Sequence, residues 1–341
     1  MKRRQFNQFA ATAAPALALG LATPARAQVK EIRMIESGGK SGESIDEYIK
    51  PFKAATGVNC VRESPNPLGK LRAMVESGKI TAATFELGSG GLEQAKKLGL
   101  VEPLDWAAID PKPMFPEAKQ EYGLGYQYFS TVMAWRKDAK APASWADFFN
   151  TKDFPGKRVL PDYPHYTLPF VLLAEGVPVD KLFPLDVDRA IAKLLTIKKD
   201  IAVLWKAGAQ SVQLLKDNEV QYGIAWSGRT TGEPLLDFTF NQGMLDISYF
   251  CVPKGTPPAE KALVMKLMHE MTVPENQARA AMIIPYSGCS PQLDALLPKD
   301  RVDLFPTAAI NKAKQWLQDP GYWLTNGEAV NKKWEEFKLN L

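Results

Sequence analysis

The chain has 341 residues, is 45% hydrophobic and 23% charged, and carries a formal net charge of +4. Four of its basic side chains, Lys2, Arg3, Arg4 and Arg26, fall in the first 27 residues, which hold no acid, so the remainder is formally neutral with 38 charges of each sign. That balance excludes a basic footprint for nucleic acid, the composition excludes wholesale disorder, and the length suits two domains with cores of their own.

The first 27 residues have the three parts of a secretory signal. A basic start precedes a small-residue apolar stretch over Ala10–Ala22, and Ala25-Arg26-Ala27 is an A-x-A cleavage motif. The apolar stretch is shorter than the ~20 residues a membrane span needs. Arg3-Arg4 followed by Phe6 resembles a twin-arginine address, with the general secretory route as the alternative. The expectation is an exported, soluble, periplasmic protein.

From Lys30 onward strand-like and helix-like stretches alternate. Strands are expected at Glu31–Ile35, Val58–Val61, Thr84–Leu87, Tyr126–Trp135, Arg158–Leu160, Ile201–Leu204, Tyr222–Trp226 and Ser248–Val252. Helices are expected between them. Ser44–Ala55 is one, with Ile45, Tyr48, Ile49 and Phe52 at helical spacing; Leu68–Val75, Leu92–Leu98, Asp186–Thr196, Ala259–Met271 and Glu275–Met282 are others. Ser144-Trp145-Ala146-Asp147 reads as a capping box. Such alternation predicts an α/β fold of open mixed sheets with helices on both faces. Ligands on such sheets sit in crevices at strand ends, so the loops after the strands are the places to search.

Several catalytic motifs fail by one residue. Gly39-Lys40-Ser41 lacks the first glycine of a phosphate loop, because Met34 stands there; Leu87 spoils G-x-S-x-G at Gly88-Ser89-Gly90. His269-Glu270 has no second histidine four residues on, and His165 is the one other histidine. No enzyme and no cofactor are expected. Cys60, Cys251 and Cys289 form no C-x-x-C pair, and at most one internal disulfide can form among them.

Six stretches carry a family resemblance: Ser144–Pro164, Pro184–Leu194, Ala207–Arg229, Asn241–Ala262, Pro274–Gly288 and Gly321–Phe337. Together they resemble the periplasmic solute-binding proteins of ABC importers, of the spermidine/putrescine-binding type. The resemblance implies a hinged, two-lobed periplasmic-binding-protein fold (type II). It would place residues 28–130 and 247–290 in one lobe and 131–246 and 291–341 in the other, with crossings near Ser130, Asp246 and Ser290. The implied partners are a small-molecule solute and an inner-membrane ABC permease, and the implied state is a monomer.

A closed cleft excludes water, so each charge on the solute needs a partner there. By the same resemblance Trp226 presents its ring to the solute, the alternative being a core Trp packed under the next helix. Asp246 is expected as an ammonium partner, and Asp162, Tyr163 and Tyr166 as contacts from the second lobe. Glu36, Ser37 and Ser89 are expected from the first lobe, with Gln210 and Ser211 completing the set. Neither loop shows the aromatic pair expected of a polyamine cage. Arg229, three residues after Trp226, would repel a polycation but hold a carboxylate bidentately. Two ligand classes therefore stand: a polyamine, or a zwitterionic ω-amino acid of the 4-aminobutyrate kind held between Arg229 and Asp246. A ferric-ion receptor using Tyr163, Tyr166 and Asp162, and a periplasmic enzyme on the same scaffold, are more distant alternatives.

Overall fold

A computed structural model describes residues 29–341, so the leader and its cleavage motif lie outside the described residues. Eleven strands form one hydrogen-bonded network. They are β1 (Glu31–Ile35), β2 (Asn59–Glu63), β3 (Thr84–Gly88), β4 (Val101–Glu102), β5 (Lys119–Gln120), β6 (Gly123–Arg136), β7 (Arg158–Pro161), β8 (Ile201–Trp205), β9 (Tyr222–Trp226), β10 (Leu236–Pro253) and β11 (Trp316–Leu317). The helices are α1 (Gly39–Thr56), α2 (Leu68–Glu76), α3 (Ser89–Lys97), α4 (Trp106–Ile109), α5 (Trp145–Phe148), α6 (Leu168–Ala174) and α7 (Val187–Thr196). They continue with α8 (Gly208–Lys216), α9 (Ser227–Thr230), α10 (Pro258–Thr272), α11 (Pro274–Ile283), α12 (Ala309–Lys312) and α13 (Pro320–Lys338).

The strand order β2-β1-β3-β10-β6-β9-β7-β8 explains the two-lobed shape. Parallel βαβ units stand at each end, β1 with β2 and β3, and β7 with β8 and β9. Between them β6 and β10 run antiparallel over 14 and 18 residues, far longer than the other strands. A long strand can serve two cores. Tyr126 on β6 and Phe250 on β10 pack with Ile32, Ile45, Phe52 and Met268 in the first lobe. Met133 and Met244, on the same two strands, pack with Trp145, Phe170, Tyr222 and Trp334 in the second. Each fully buried large apolar side chain contributes about 1.5–3 kcal/mol, so both lobes have cores sufficient to hold their shape.

Local chemistry sets the element ends. Ser144 accepts a hydrogen bond from the Asp147 amide at 3.2 Å and opens α5, as the capping pattern predicts. Gly57, with φ +71°, closes α1 in the left-handed conformation that glycine favours. One element differs from the sequence reading. Of β10, the sequence reading expects a strand at Ser248–Val252 alone. In the structure Gln242 has φ +53° and the pairing with β6 slips between Thr239 and Met244. The interruption is a bulge inside one strand, and it places Asp246 on a strand rather than in a loop.

The segment after Ser290 also differs from expectation. Leu293, Leu297 and Phe305 pack on Ala281 of α11, and Lys312 pairs with Glu117 at 2.8 Å. The chain thus stays with the first lobe's helices until β11 joins β10, which moves the last crossing from Ser290 toward Trp316.

Candidate functional site

The ends of β1, β3, β7, β8 and β9 and the middle of β6 and β10 face one cleft between the lobes. On the first-lobe side, Gly38 and Gly39 have φ of +79° and +60°, and this left-handed pair turns the chain from β1 into α1. Two carboxylates fix that turn. Glu36 accepts from the Gly38 amide and lies over the first turn of α1, where the helix dipole favours an anion. Glu86, on β3, accepts from the Ser37 amide at 2.7 Å and from the Tyr126 hydroxyl at 2.9 Å. Glu36 has a counterion, Arg62 at 3.0 Å, whereas Glu86 is buried with hydrogen bonds alone, and burial pushes its pKa up.

Asp246 sits where β10 crosses between the lobes and is 3% exposed. Its Oδ1 accepts from the Ser89 hydroxyl at 2.5 Å and from the Ile247 amide at 2.7 Å. Its Oδ2 accepts from the Tyr166 hydroxyl at 2.7 Å. One hydroxyl thus comes from each lobe, and no cation neutralises the carboxylate among the described residues. Burial raises its pKa against the opposing pull of these hydrogen bonds. The Ser89 amide adds a further neutral donor to the carboxylate.

From Asp246 a line of aromatic rings leads across the cleft. Tyr166 meets Trp226 edge-on at 6.0 Å, Trp226 meets Phe129 at 5.8 Å, and Phe129 meets Tyr286 at 5.8 Å. Trp205 backs Trp226 at 5.0 Å. Trp226 is half-buried, touches both second-lobe cores, and leaves its buried Nε1 without a partner. Gly208 and Gly228 seat this wall, since a Cβ at either would run into the Trp226 or the Tyr286 ring.

Arg229 stands at the far end. Its buried Nε has no partner, and it forms no ion pair among the described residues. Its guanidinium nitrogens lie 3.9 Å from where a Cβ on Gly39 would sit, so it reaches the first lobe's β1–α1 turn across the cleft. Tyr286 is its neighbour: burial raises the phenol to about 12, while the Arg229 charge pulls the other way.

The structure brings Trp226, Arg229, Asp246, Tyr166, Ser89 and Ser37 to the cleft and gives the other expected residues internal duties. The Asp162 carboxylate accepts from Trp334 Nε1 at 2.9 Å and pairs with Lys338 at 3.1 Å, so it pins α13 to the end of β7. Tyr163 donates to the Lys206 carbonyl, and Gln210 accepts from the Lys206 amide at the exposed start of α8. Ser211 is buried and donates to the Gly208 carbonyl of its own helix. Glu36 is paired as described. Sequence reasoning missed Phe129, Tyr286 and Glu86. The aromatic pair it found lacking in the loops is supplied by a hinge strand and by the segment after α11. Cys60, Cys251 and Cys289 are all free thiols.

The chain matches the bacterial extracellular solute-binding protein family over residues 47–307 and belongs to it. It is 35% identical over 329 residues to the gamma-aminobutyric acid-binding protein of Pseudomonas aeruginosa, covering 92% of this chain and 93% of that one. An ABC transporter substrate-binding protein from Bradyrhizobium japonicum superposes with a TM-score of 0.84 at 34% identity, over 90% of this chain and 99% of that one. The Atu4243-GABA receptor superposes with a TM-score of 0.82 at 31% identity, over 90% and 97%. The protein is thus a receptor rather than an enzyme: the substrate-binding component of an ABC transporter, which captures a small solute and delivers it to a membrane permease. Among the described residues no helix is long and apolar enough to cross a membrane.

Proposed function

We propose that the solute is a zwitterionic ω-amino acid of the 4-aminobutyrate class, captured in the periplasm, with its ammonium on Asp246 and its carboxylate on Arg229. The observation that carries this reading is the pair of unmatched charges. A buried carboxylate without a cation and a half-buried guanidinium without an anion stand at opposite ends of one aromatic line. An uncompensated charge in a closed site costs several kcal/mol, and one zwitterion relieves both at once. The charges must sit at opposite ends of the solute's carbon chain, because rings spaced 5.8–6.0 Å apart stand between the two protein groups. The methylenes then lie against Trp226 and Phe129.

A diamine such as putrescine fits this arrangement poorly. It satisfies Asp246 but leaves Arg229 facing a second cation in a water-poor cleft. The names of two similar proteins, both of which bind 4-aminobutyrate by description, support the amino-acid class.

Calorimetry with glycine, 3-aminopropanoate, 4-aminobutyrate, 5-aminopentanoate, putrescine and spermidine tests the reading. Binding should peak at a terminal amino acid of three to five carbons and be absent for glycine. Tight binding of putrescine or spermidine without any amino acid would overturn it.

A further inference from the structure

Two glutamines stand where the chain makes its last crossing, and they are held differently. Gln315 donates from Nε2 to the Pro306 and Asn311 carbonyls at 2.9 and 3.1 Å, and its Oε1 accepts from the Ser130 hydroxyl. Both ends of that amide are used. Gln318 follows β11, and its backbone amide donates to the Leu245 carbonyl at 3.0 Å, which sets its side chain beside Asp246. One end of the side-chain amide lies 2.7 Å from Ser89 Oγ, and the other end has no hydrogen-bond partner among the described residues. That outer end is not a buried atom. The half-buried side chain lines, with Asp246 and Tyr166, a cavity of about 730 Å³ whose lips are α3 and α13.

The proton count at Ser89 decides which end of the amide faces outward. The Ser89 hydroxyl has a single proton, and its oxygen also lies 2.5 Å from Asp246 Oδ1. The ionised carboxylate is nearer and charged, so it takes that proton. The Ser89 oxygen then presents lone pairs to Gln318, and the amide end that fits them is the NH2 group. Amide oxygen and nitrogen have nearly the same shape, so hydrogen bonds rather than packing choose between them. With Nε2 on Ser89, Gln318 Oε1 points into the cavity as an uncommitted acceptor.

An ammonium arriving at Asp246 needs such an acceptor. The carboxylate already receives the Ser89 hydroxyl and amide, the Ile247 amide and the Tyr166 hydroxyl, one donor for each of its lone-pair sites. It attracts the ammonium by charge, while the N–H groups, stripped of water in the cleft, require further oxygens. We infer that Gln318 is a solute-binding residue, accepting through Oε1 from the ammonium that Asp246 attracts. This rests on the reading above, of which it needs the ammonium at Asp246 alone.

Calorimetry with 4-aminobutyrate at pH 8 on wild type, Gln318→Met and Gln318→Glu tests the assignment. Met matches Gln in length but carries neither the oxygen nor the N–H group, and should weaken binding by at least about tenfold. Glu also lacks the N–H group that meets Ser89 but keeps an oxygen toward the cavity. It is the rescue, and should bind at least about fivefold more tightly than the Met variant. A purely structural role of the Ser89 contact would be lost in both variants alike, so equal weakening overturns the inference. A Met variant that binds as well as wild type or better also overturns it, since that is the result of an NH2 group facing the solute. Putrescine in the same titrations keeps the two readings apart. If it binds and the amino acids do not, the ω-amino-acid reading falls, and Gln318 stands or falls on the same comparison made with putrescine. Binding of neither class removes both.

Discussion

Asp162 and Asp246 both approach the cleft from strands and are both largely buried, yet they do opposite things. Asp162 holds Trp334 and Lys338 of α13, and its charge is neutralised inside the second lobe. Asp246 collects only neutral donors, one hydroxyl from each lobe. Glu36 and Glu86 repeat the contrast in the first lobe, the former on Arg62, the latter on Ser37 and Tyr126. Proximity to the cleft and burial do not distinguish a structural carboxylate from one kept for a solute. The missing internal cation does, and Arg229, which has no internal anion, is the complementary case.

The comparison breaks first at Arg229. Removing one partner of a desolvated charge pair costs about 2–5 kcal/mol, so Arg229→Ala should weaken 4-aminobutyrate by at least about 30-fold. Putrescine, which has no carboxylate, should not be weakened, and calorimetry on both solutes reads the difference directly. Equal losses would mean that Arg229 supports the fold rather than the solute. Asp246→Asn and Asp162→Ala then sharpen the contrast between the two aspartates. In Asn the carbonyl still accepts from Ser89 and Ile247 while the amide nitrogen can donate to the Tyr166 hydroxyl oxygen, so the packing is kept and the charge is lost, which should cost the ammonium about 2 kcal/mol or more of binding with little change in Tm. Asp162→Ala should leave Kd within threefold and lower unfolding stability by about 1–3 kcal/mol, because it leaves Trp334 Nε1 without its acceptor and takes from Lys338 one of its two carboxylate partners, the other being Glu335. Denaturant melts beside titrations separate the two. A binding loss at Asp162 with unchanged stability would erase the distinction.

The α/β class and the element order were legible because hydrophobic period and turn residues act locally. Leu, Ile and Val runs gave the core strands, and Ser144 and Gly57 chose element ends through their own backbone chemistry. The site was legible in part. Trp226, Arg229 and Asp246 carry conspicuous chemistry in stretches of family resemblance. Phe129, Glu86 and Tyr286 did not stand out, since Phe129 reads as one more apolar residue of a hinge strand and Glu86 as one acid in a buried β3. They become site residues only because the sheet brings β3, β6 and the segment after α11 together. The neutralisation of Asp162 was hidden for the same reason, its partners lying 172 and 176 positions later in the chain.

A smaller effect reports the state of Asp246. Its pKa is raised by burial, and an ammonium is held only by the ionised form, so proton and solute compete. Affinity for 4-aminobutyrate should decline on acidification, by no more than tenfold for each unit below the raised ionisation. The decline should vanish from whatever binding remains in Asp246→Asn. An affinity that rises on acidification would contradict an ammonium–carboxylate contact.

The smallest effect comes from His165, which packs on Tyr166 at 4.1 Å, the ring that donates to Asp246. Burial lowers its pKa to about 4, against about 6.5 in an unfolded chain. Below pH 6.5 the unfolded chain therefore binds the proton first. The contribution of His165 to stability is full above pH 6.5, shrinks as pH falls, and is lost through about pH 4. Between pH 7 and 5.5 this amounts to on the order of 1 kcal/mol. Asp246 and Glu86 work the other way, because carboxyls raised by burial take up protons more readily in the folded protein and favour folding as pH falls. The wild-type slope mixes both signs, so the informative measurement is the difference between wild type and His165→Gln in urea melts at pH 7 and 5.5. Gln cannot titrate, and its stability should fall less on acidification than that of wild type. Identical slopes would mean that His165 exchanges protons as freely in the fold as outside it. The wall next to Asp246 would then carry a cation at acidic pH, and the contrast between a partnered and an unpartnered aspartate would disappear at the pH where it matters for an ammonium solute.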